Sequence, residues 1–395
     1  MGKEKYGQIK FGKLYTGSNV FSDGFISIKD GIVSNIGKNP SGSTYVDFSD
    51  YILIPGMIDI HTNGYFGIDA INASVDDIHY WSKKLVTTGV TSFVPTIVSS
   101  PLEVIFENFK KYKQAIEHQP SQSAKILGIR LEGPYISRIQ RGSHNPKFLR
   151  RVKLREIEQI FQVGRDLLKI IDVAPELGKF PDISHLADQY GVVVSIGHSN
   201  ATSDIVNSAL NNGAKLMTHF WDVMSGLTYN RGVGVDLGVI GAGLLKKDVP
   251  AELIGDLHHV PIEGINILKE MKGWQNLALI TDSLSIGGSG SMTGAAWGFR
   301  IEVKDGVAKI TGMKNKVRND DIAGSIVSMD QVLRNMVKIG NDLKDIVYST
   351  SSLQSKILGE RDIGFLERGY KANMCVLDRN LNVVSTFVDG IMCDF

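Results

Sequence analysis

Between residues 52 and 282 the chain reads as eight strand-like runs, near 52–60, 90–98, 126–132, 169–175, 192–197, 215–220, 251–257 and 277–282. Helical patterns lie between most of them. From Val75 to Thr88, for example, Ile78, Trp81, Leu85 and Val86 recur at the spacing that puts them on one helix face. Few architectures accept such a rhythm. Parallel strands need long crossovers, usually helical, and eight β-runs with intervening helices predict an α/β chain, a closed (β/α)8 TIM barrel rather than an open sheet.

A barrel of roughly 250 residues leaves a surplus in a chain of 395, and the surplus lies at both ends. Residues 1–54 carry short runs, Gln8-Ile9-Lys10-Phe11, Gly24 to Ile28 and Gly31 to Ile36, parted by Asp30-Gly31 and similar turns. Residues 356–395 hold Ala372 to Leu377 and Val383 to Gly390, of the same character. Neither end has enough strands to bury a core alone. We therefore expect the two ends to pair as one small β-sandwich domain beside a barrel domain of residues 55–355. One stretch, 292–312, breaks the rhythm with a hairpin, Trp297 to Val303 and Val307 to Ile310 turned at Asp305-Gly306. We expect it to be a structural insertion.

Composition narrows the function classes. A hydrophobic share of 43% and a charged share of 22% fit a globular protein with a large core. The net charge of +1 and the lack of a dense basic block argue against nucleic acid as a partner. With only Cys375 and Cys393, a disulfide framework is not expected. No run approaches the ~20 apolar residues that cross a bilayer, and the first residues lack a signal-type apolar core. The expected location is the cytoplasm, away from membranes.

Chemistry-bearing residues fall where the strand-like runs end. Leu131-Glu132-Gly133-Pro134 follows the apolar run from Ile126, Val192 to Gly197 delivers His198, and Lys215 to Thr218 delivers His219. Barrels bind ligands and metals at the carboxyl ends of their strands. One carboxylate and two imidazoles there suit zinc or a similar metal, with a position left open for water. The first run ends in His61-Thr62-Asn63, whose first and third residues share a strand face, and the last run ends in Thr281-Asp282.

Pro-Gly-x-Ile-Asp-x-His, Leu-Glu-Gly-Pro, Gly-His-Ser-Asn-Ala-Thr, Thr-His-Phe and Thr-Asp-Ser occur here in the order and near the spacing of the amidohydrolase superfamily. Within it the chain resembles the N-acetylglucosamine-6-phosphate deacetylase family, and Arg141-Gly142-Ser143-His144-Asn145-Pro146 is a further signature. The resemblance implies that Glu132 takes the anionic ligand role that a modified lysine often fills elsewhere in the superfamily. It implies that Asp282 is the catalytic aspartate, acting as base and then as acid, and that His144 stabilises the developing oxyanion. Arg231 and His259 fall near the family's phosphate-binding positions, and His61, Asn63, Asp222, Val223 and Ile322 near water or substrate. Relatives with two metals carry His-x-His at the first strand, whereas His61-Thr62-Asn63 offers an amide in place of one imidazole. One divalent metal per subunit is expected, zinc first, with ferrous iron or another transition metal as alternatives. The family also implies a homodimer.

Three departures leave the sugar open. Asp222-Val223 stands where the family has Asn-Ala, Ser283 to Gly288 lacks the usual alanine, and Ile322-Ala323-Gly324-Ser325 replaces Leu-Ser-Gly-Ser. The expected reaction is deacetylation of N-acetylglucosamine 6-phosphate, with N-acetylgalactosamine 6-phosphate as the alternative substrate. A non-catalytic scaffold of the same fold is the reading from another class. The retained metal ligands and Asp282 argue against it.

Overall fold

A computed structural model describes residues 7–230, 234–311 and 322–395. Eight parallel strands follow one another around a barrel: Met57–Thr62, Val90–Val98, Ile129–Glu132, Leu168–Val173, Val193–Ile196, Leu216–Met217, Ala251–Ile254 and Leu277–Ile280. The ring closes at its carboxyl rim. Thr62 and Ser283 form a parallel bridge, the Asp282 amide donates to the His61 carbonyl at 2.9 Å, and the Asn63 amide donates to the Ser283 carbonyl at 2.8 Å.

Alternation along the strands sorts the core into two layers. Ile129, Leu131, Ile171, Val173, Val194, Ile196, Leu253, Leu277 and Leu279 pack with helix residues such as Ile78, Trp81, Phe109 and Phe161. Ile58, Ile60, Val94, Ile170, Leu216, Ile254, Ala278 and Ile280 form a second cluster with Leu353 and Ile363. The first helix, Val75–Leu85, starts at Ser74 in a reciprocal cap with Asp77, and buries Ile78, Trp81 and Leu85 as its spacing predicts.

The run expected at 52–60 is divided. Val46–Pro55 belongs to a separate sheet, and Met57–Thr62 opens the barrel. Gly56 is the hinge between them, and a Cβ there would stand 2.2 Å from the Thr91 side chain. The separate sheet joins both chain ends in seven strands. Val46–Pro55 pairs in parallel with Gln8–Tyr15 on one side and antiparallel with Met374–Leu377 on the other. It is one continuous sheet that curls on itself. Ile32, on the strand farthest from Met374–Leu377 on that side of the sheet, nevertheless bridges Lys371. Ile9, Phe11, Leu14, Ile26, Leu53, Met374, Val376 and Phe387 fill the curl.

The stretch 292–312 is a three-stranded antiparallel sheet over its described residues, Thr293–Ala296, Phe299–Lys304 and Val307–Thr311. It is an appendage with a core of its own, built from Ile286, Ala296, Ile301, Val303, Ala308, Ile310 and Ala323. No described helix is long and apolar enough to cross a membrane.

Candidate metal centre and active site

Glu132 is the last residue of the third strand, and Gly133, at φ 85°, starts the turn that carries the chain away. His198, His219 and Asp282 each follow a barrel strand and hold φ of 49°, 22° and 46°. Left-handed backbone is uncommon for residues with a side chain, costs on the order of 1–3 kcal/mol each, and gathers at functional sites. Here it turns three ionisable side chains toward one point.

Glu132 Oε1 lies 2.8 Å from His198 Nε2 and 3.1 Å from His219 Nε2, and the two nitrogens are 3.2 Å apart. Tetrahedral bonds of about 2.0–2.1 Å would set donor atoms about 3.3 Å from one another, so this donor set fits a divalent cation. The other nitrogen of His198 points at the Gln140 carbonyl, 2.8 Å away. A proton held there leaves Nε2 as the ligating lone pair. Burial opposes charge on Glu132, but the positive field of His61 and the close contacts with His144, His198 and His219 hold its carboxyl well below the usual range.

His61 sits behind this group. Its Nδ1 meets Glu252 Oε2 at 3.1 Å, and its Nε2 stands 3.5 Å from Glu132 Oε2 and 3.4 Å from Asp282 Oδ1. His61, Glu132 and Asp282 therefore form a second cluster of three donors. The third strong donor beside His61 is Asp282, whereas Asn63 spends its amide N–H on Asp282 Oδ1 at 2.6 Å. Both His61 and Asn63 are buried and neither lines the cavity, unlike the substrate-side position expected from sequence. Burial raises the Asp282 carboxyl above its ordinary pKa, against the lowering influence of His61.

A cavity of about 400 Å³ opens over the donors. Glu132, His144, His198, His219, Asp222, Val223, His259, Asp282 and Ile322 line it. His144 Nδ1 is 2.9 Å from Ser99 Oγ and accepts the Ser99 amide at 3.4 Å, while its Nε2 is 3.6 Å from Glu132 Oε1. An accepting Nδ1 places the proton on Nε2, facing the donors. Burial and the neighbouring His198 lower the His144 pKa, which favours that neutral form. His259 Nδ1 is fixed by Asp256 Oδ2 at 2.7 Å. Burial disfavours charge on His259, but the hydrogen bond and charge of Asp256 outweigh it and raise the pKa. Arg231 lies outside the described residues.

Sequence reasoning missed part of the wall and the layer beneath it. Gly142, Ser143, Gly324 and Trp297 also line the cavity. Trp297 corrects the expectation for 292–312, because the insertion supplies a ring to the site, 6.3 Å from that of His144 and 19° from parallel. Under the donors, Arg130 binds Asp172 through Nε at 2.9 Å and Nη2 at 2.7 Å, and its Nη1 contacts Glu252. Thr218 Oγ1 donates to Asp172 at 2.6 Å. All four side chains are fully buried. Despite the burial, Arg130 and His61 pull Glu252 down to about 2. The signal for this layer was a charged residue inside each of three apolar runs.

The family model described as the amidohydrolase family matches residues 52–392. An N-acetylgalactosamine-6-phosphate deacetylase of Escherichia coli O157:H7 is 29% identical over 97% of this chain and 98% of its own length. An N-acetylglucosamine-6-phosphate deacetylase of Bacillus subtilis (strain 168) is 30% identical over 95% of this chain and 94% of its own. Among solved structures, an N-acetylglucosamine-6-phosphate deacetylase from Thermotoga maritima superposes with a TM-score of 0.86 at 28% identity, covering 98% of this chain and 99% of that one.

Proposed function

The chain belongs to the amidohydrolase family, and we propose that it hydrolyses the acetamido group of N-acetylglucosamine 6-phosphate to acetate and glucosamine 6-phosphate. The observation that carries this reading is the placement of Asp282, buried, raised in pKa and tethered by Asn63, beside the Glu132, His198 and His219 donors. A scaffold would have no use for a carboxylate so prepared.

Glu132, His198 and His219 would hold one divalent cation per subunit, and a mixed carboxylate–imidazole set suits zinc, with ferrous iron as the alternative. When bound, such an ion supplies Lewis acidity toward an amide carbonyl and lowers the pKa of water. Asp282 takes the proton of the attacking water and returns one to the leaving nitrogen, so that one group acts as base and then as acid. His144 offers its Nε2 proton to the carbonyl oxygen as charge develops. His61 and Asn63 act through Asp282, holding its carboxylate toward the cavity. His259, whose pKa Asp256 raises, and Arg231 meet the phosphate, for which a guanidinium fork is well shaped. Asp222, Val223 and Ile322 border the sugar.

We further propose a homodimer. Thr228–Asn230 and Gly234–Asp236, which flank Arg231 in the sequence, pair as two short strands; Leu227 just before them and Tyr229 and Val235 on them are 72%, 72% and 63% exposed. A second subunit would cover this apolar patch and bring the Arg231 region to a cavity. The cytoplasm is the fitting location, because a phosphorylated sugar carries charge that a bilayer excludes.

N-acetylgalactosamine 6-phosphate is the second reading, supported by the Escherichia coli relative of that activity. Acetate release from both epimers, each with and without the 6-phosphate, tests the proposal. We expect release from phosphorylated substrates, fastest with the glucosamine form. No release from any of the four would overturn it.

A further inference from the structure

The inserted sheet turns at Ala296-Trp297-Gly298-Phe299, where Ala296 pairs with Phe299 and the two central residues have φ of 55° and 84°. Tight turns of this kind favour Asn, Asp or Gly at both centres, because left-handed backbone strains a bulky side chain. A tryptophan at the first centre is the wrong residue for the turn. Its ring, however, lines the cavity beside His144.

The sheet beneath is built to hold that ring in place. Ala296, Ile301 and Ile310 are buried in the insertion's own core. A series of backbone hydrogen bonds then ties the insertion to the catalytic loop. Ala323 donates to Ala308 at 3.0 Å, and Ser325 donates to the Asp282 carbonyl at 2.8 Å. The platform and the proposed base thus share one frame.

Most of the cavity wall is ionisable, and the larger apolar side chains on it are Trp297, Val223 and Ile322. Trp297 belongs to the insertion and Ile322 is bridged to its Lys309. A hexopyranose carries hydroxyls around its edge and C–H groups on its two faces. Charged groups can satisfy the edge, but a C–H face gains by leaving water for an apolar surface.

We propose that Trp297 is a specificity-determining residue, its indole forming the platform on which one C–H face of the substrate's pyranose stacks beside His144. The proposal rests on the amino-sugar reading above and deepens it. The two epimers differ at C4, where an axial hydroxyl roughens one face of the galactosamine ring and clears the other. A fixed platform on one side of the ring therefore distinguishes them.

The test compares wild type, Trp297→Ala and Trp297→Phe for acetate release from both 6-phosphorylated epimers. Tryptophan fluorescence is also followed as the product glucosamine 6-phosphate is added. Trp297→Ala should raise KM for the preferred epimer about tenfold or more, the scale of a buried aromatic contact. Its kcat should stay within about threefold, and the ratio of kcat/KM between epimers should narrow. Trp297→Phe, which keeps a ring, should restore most of the affinity but lose most of the fluorescence change. A KM for Trp297→Ala within about twofold of wild type, equal losses on both epimers, or an undiminished fluorescence change in Trp297→Phe would each overturn the platform while leaving the deacetylase reading in place. A wild-type enzyme that releases no acetate from either epimer would overturn both.

Discussion

The carboxyl of Asp282 is drawn in opposite directions. Loss of water raises its pKa and the nearby Glu132 charge adds to this, whereas His61, His219 and His259 lower it, and the net effect is upward. A general base works best when its pKa lies toward the operating pH, so the environment improves a group that would otherwise be too weak. The base must be ionised to act. Activity should therefore fall as the pH drops through the titration of this carboxyl, and that acidic limb should vanish in Asp282→Asn. That variant is isosteric, accepts from Asn63 through its amide oxygen, and should retain one equivalent of metal by elemental analysis. Its kcat should fall by at least ~10²-fold, the scale of general acid–base catalysis. Near-normal turnover with full metal content would sink the assigned role.

At the scale of the element, legibility followed the physics of the strand. Period-two alternation and apolar runs marked the barrel strands, and Glu132, His198, His219 and Asp282 stood out because polar groups ended those runs. Where one extended run served two sheets the pattern was blind. Residues 52–60 look continuous, and only the structure shows the break at Gly56, where the Thr91 side chain leaves no room for a Cβ. Left-handed backbone at His198 and His219 leaves no compositional trace, since neither is glycine. Trp297 was unreadable for a similar reason, because a hairpin pattern places a turn without saying what the turn faces. Arg130, Asp172 and Glu252 were visible as charges inside apolar runs, yet their meeting depends on the barrel's closure. That meeting makes a prediction. Arg130→Met would leave buried Asp172 without a cation and Glu252 with His61 alone, and breaking a buried pair from one side costs about 3–5 kcal/mol. Thermal unfolding should show a clearly lowered Tm even with metal saturating. An unchanged Tm would mean that Arg130 is dispensable to the strands it joins.

The whole molecule places a polar, metal-competent cavity at the carboxyl rim of the barrel, within a single subunit, and leaves an apolar patch exposed on the short strands that flank Arg231 in the sequence. Exposed apolar patches commonly mark interaction surfaces, and in the proposed dimer a second copy would cover this one and bring Arg231 to the phosphate. Charge-assisted bonds to phosphate contribute roughly 1.5–3 kcal/mol each, or about one to two powers of ten in affinity. Arg231→Ala should raise KM for the 6-phosphorylated substrate by about that factor and barely alter the free sugar. Equal losses on both would show that Arg231 does not read the phosphate. Tyr229→Asp separates the dimer question from the clamp itself. The residue is 72% exposed, so charging it should leave the fold intact and repel a second subunit. Sedimentation should then show a monomer, and the same rise in KM for the phosphorylated substrate should follow although Arg231 is still present. A Tyr229→Asp monomer with wild-type KM would show that each subunit binds its phosphate unaided.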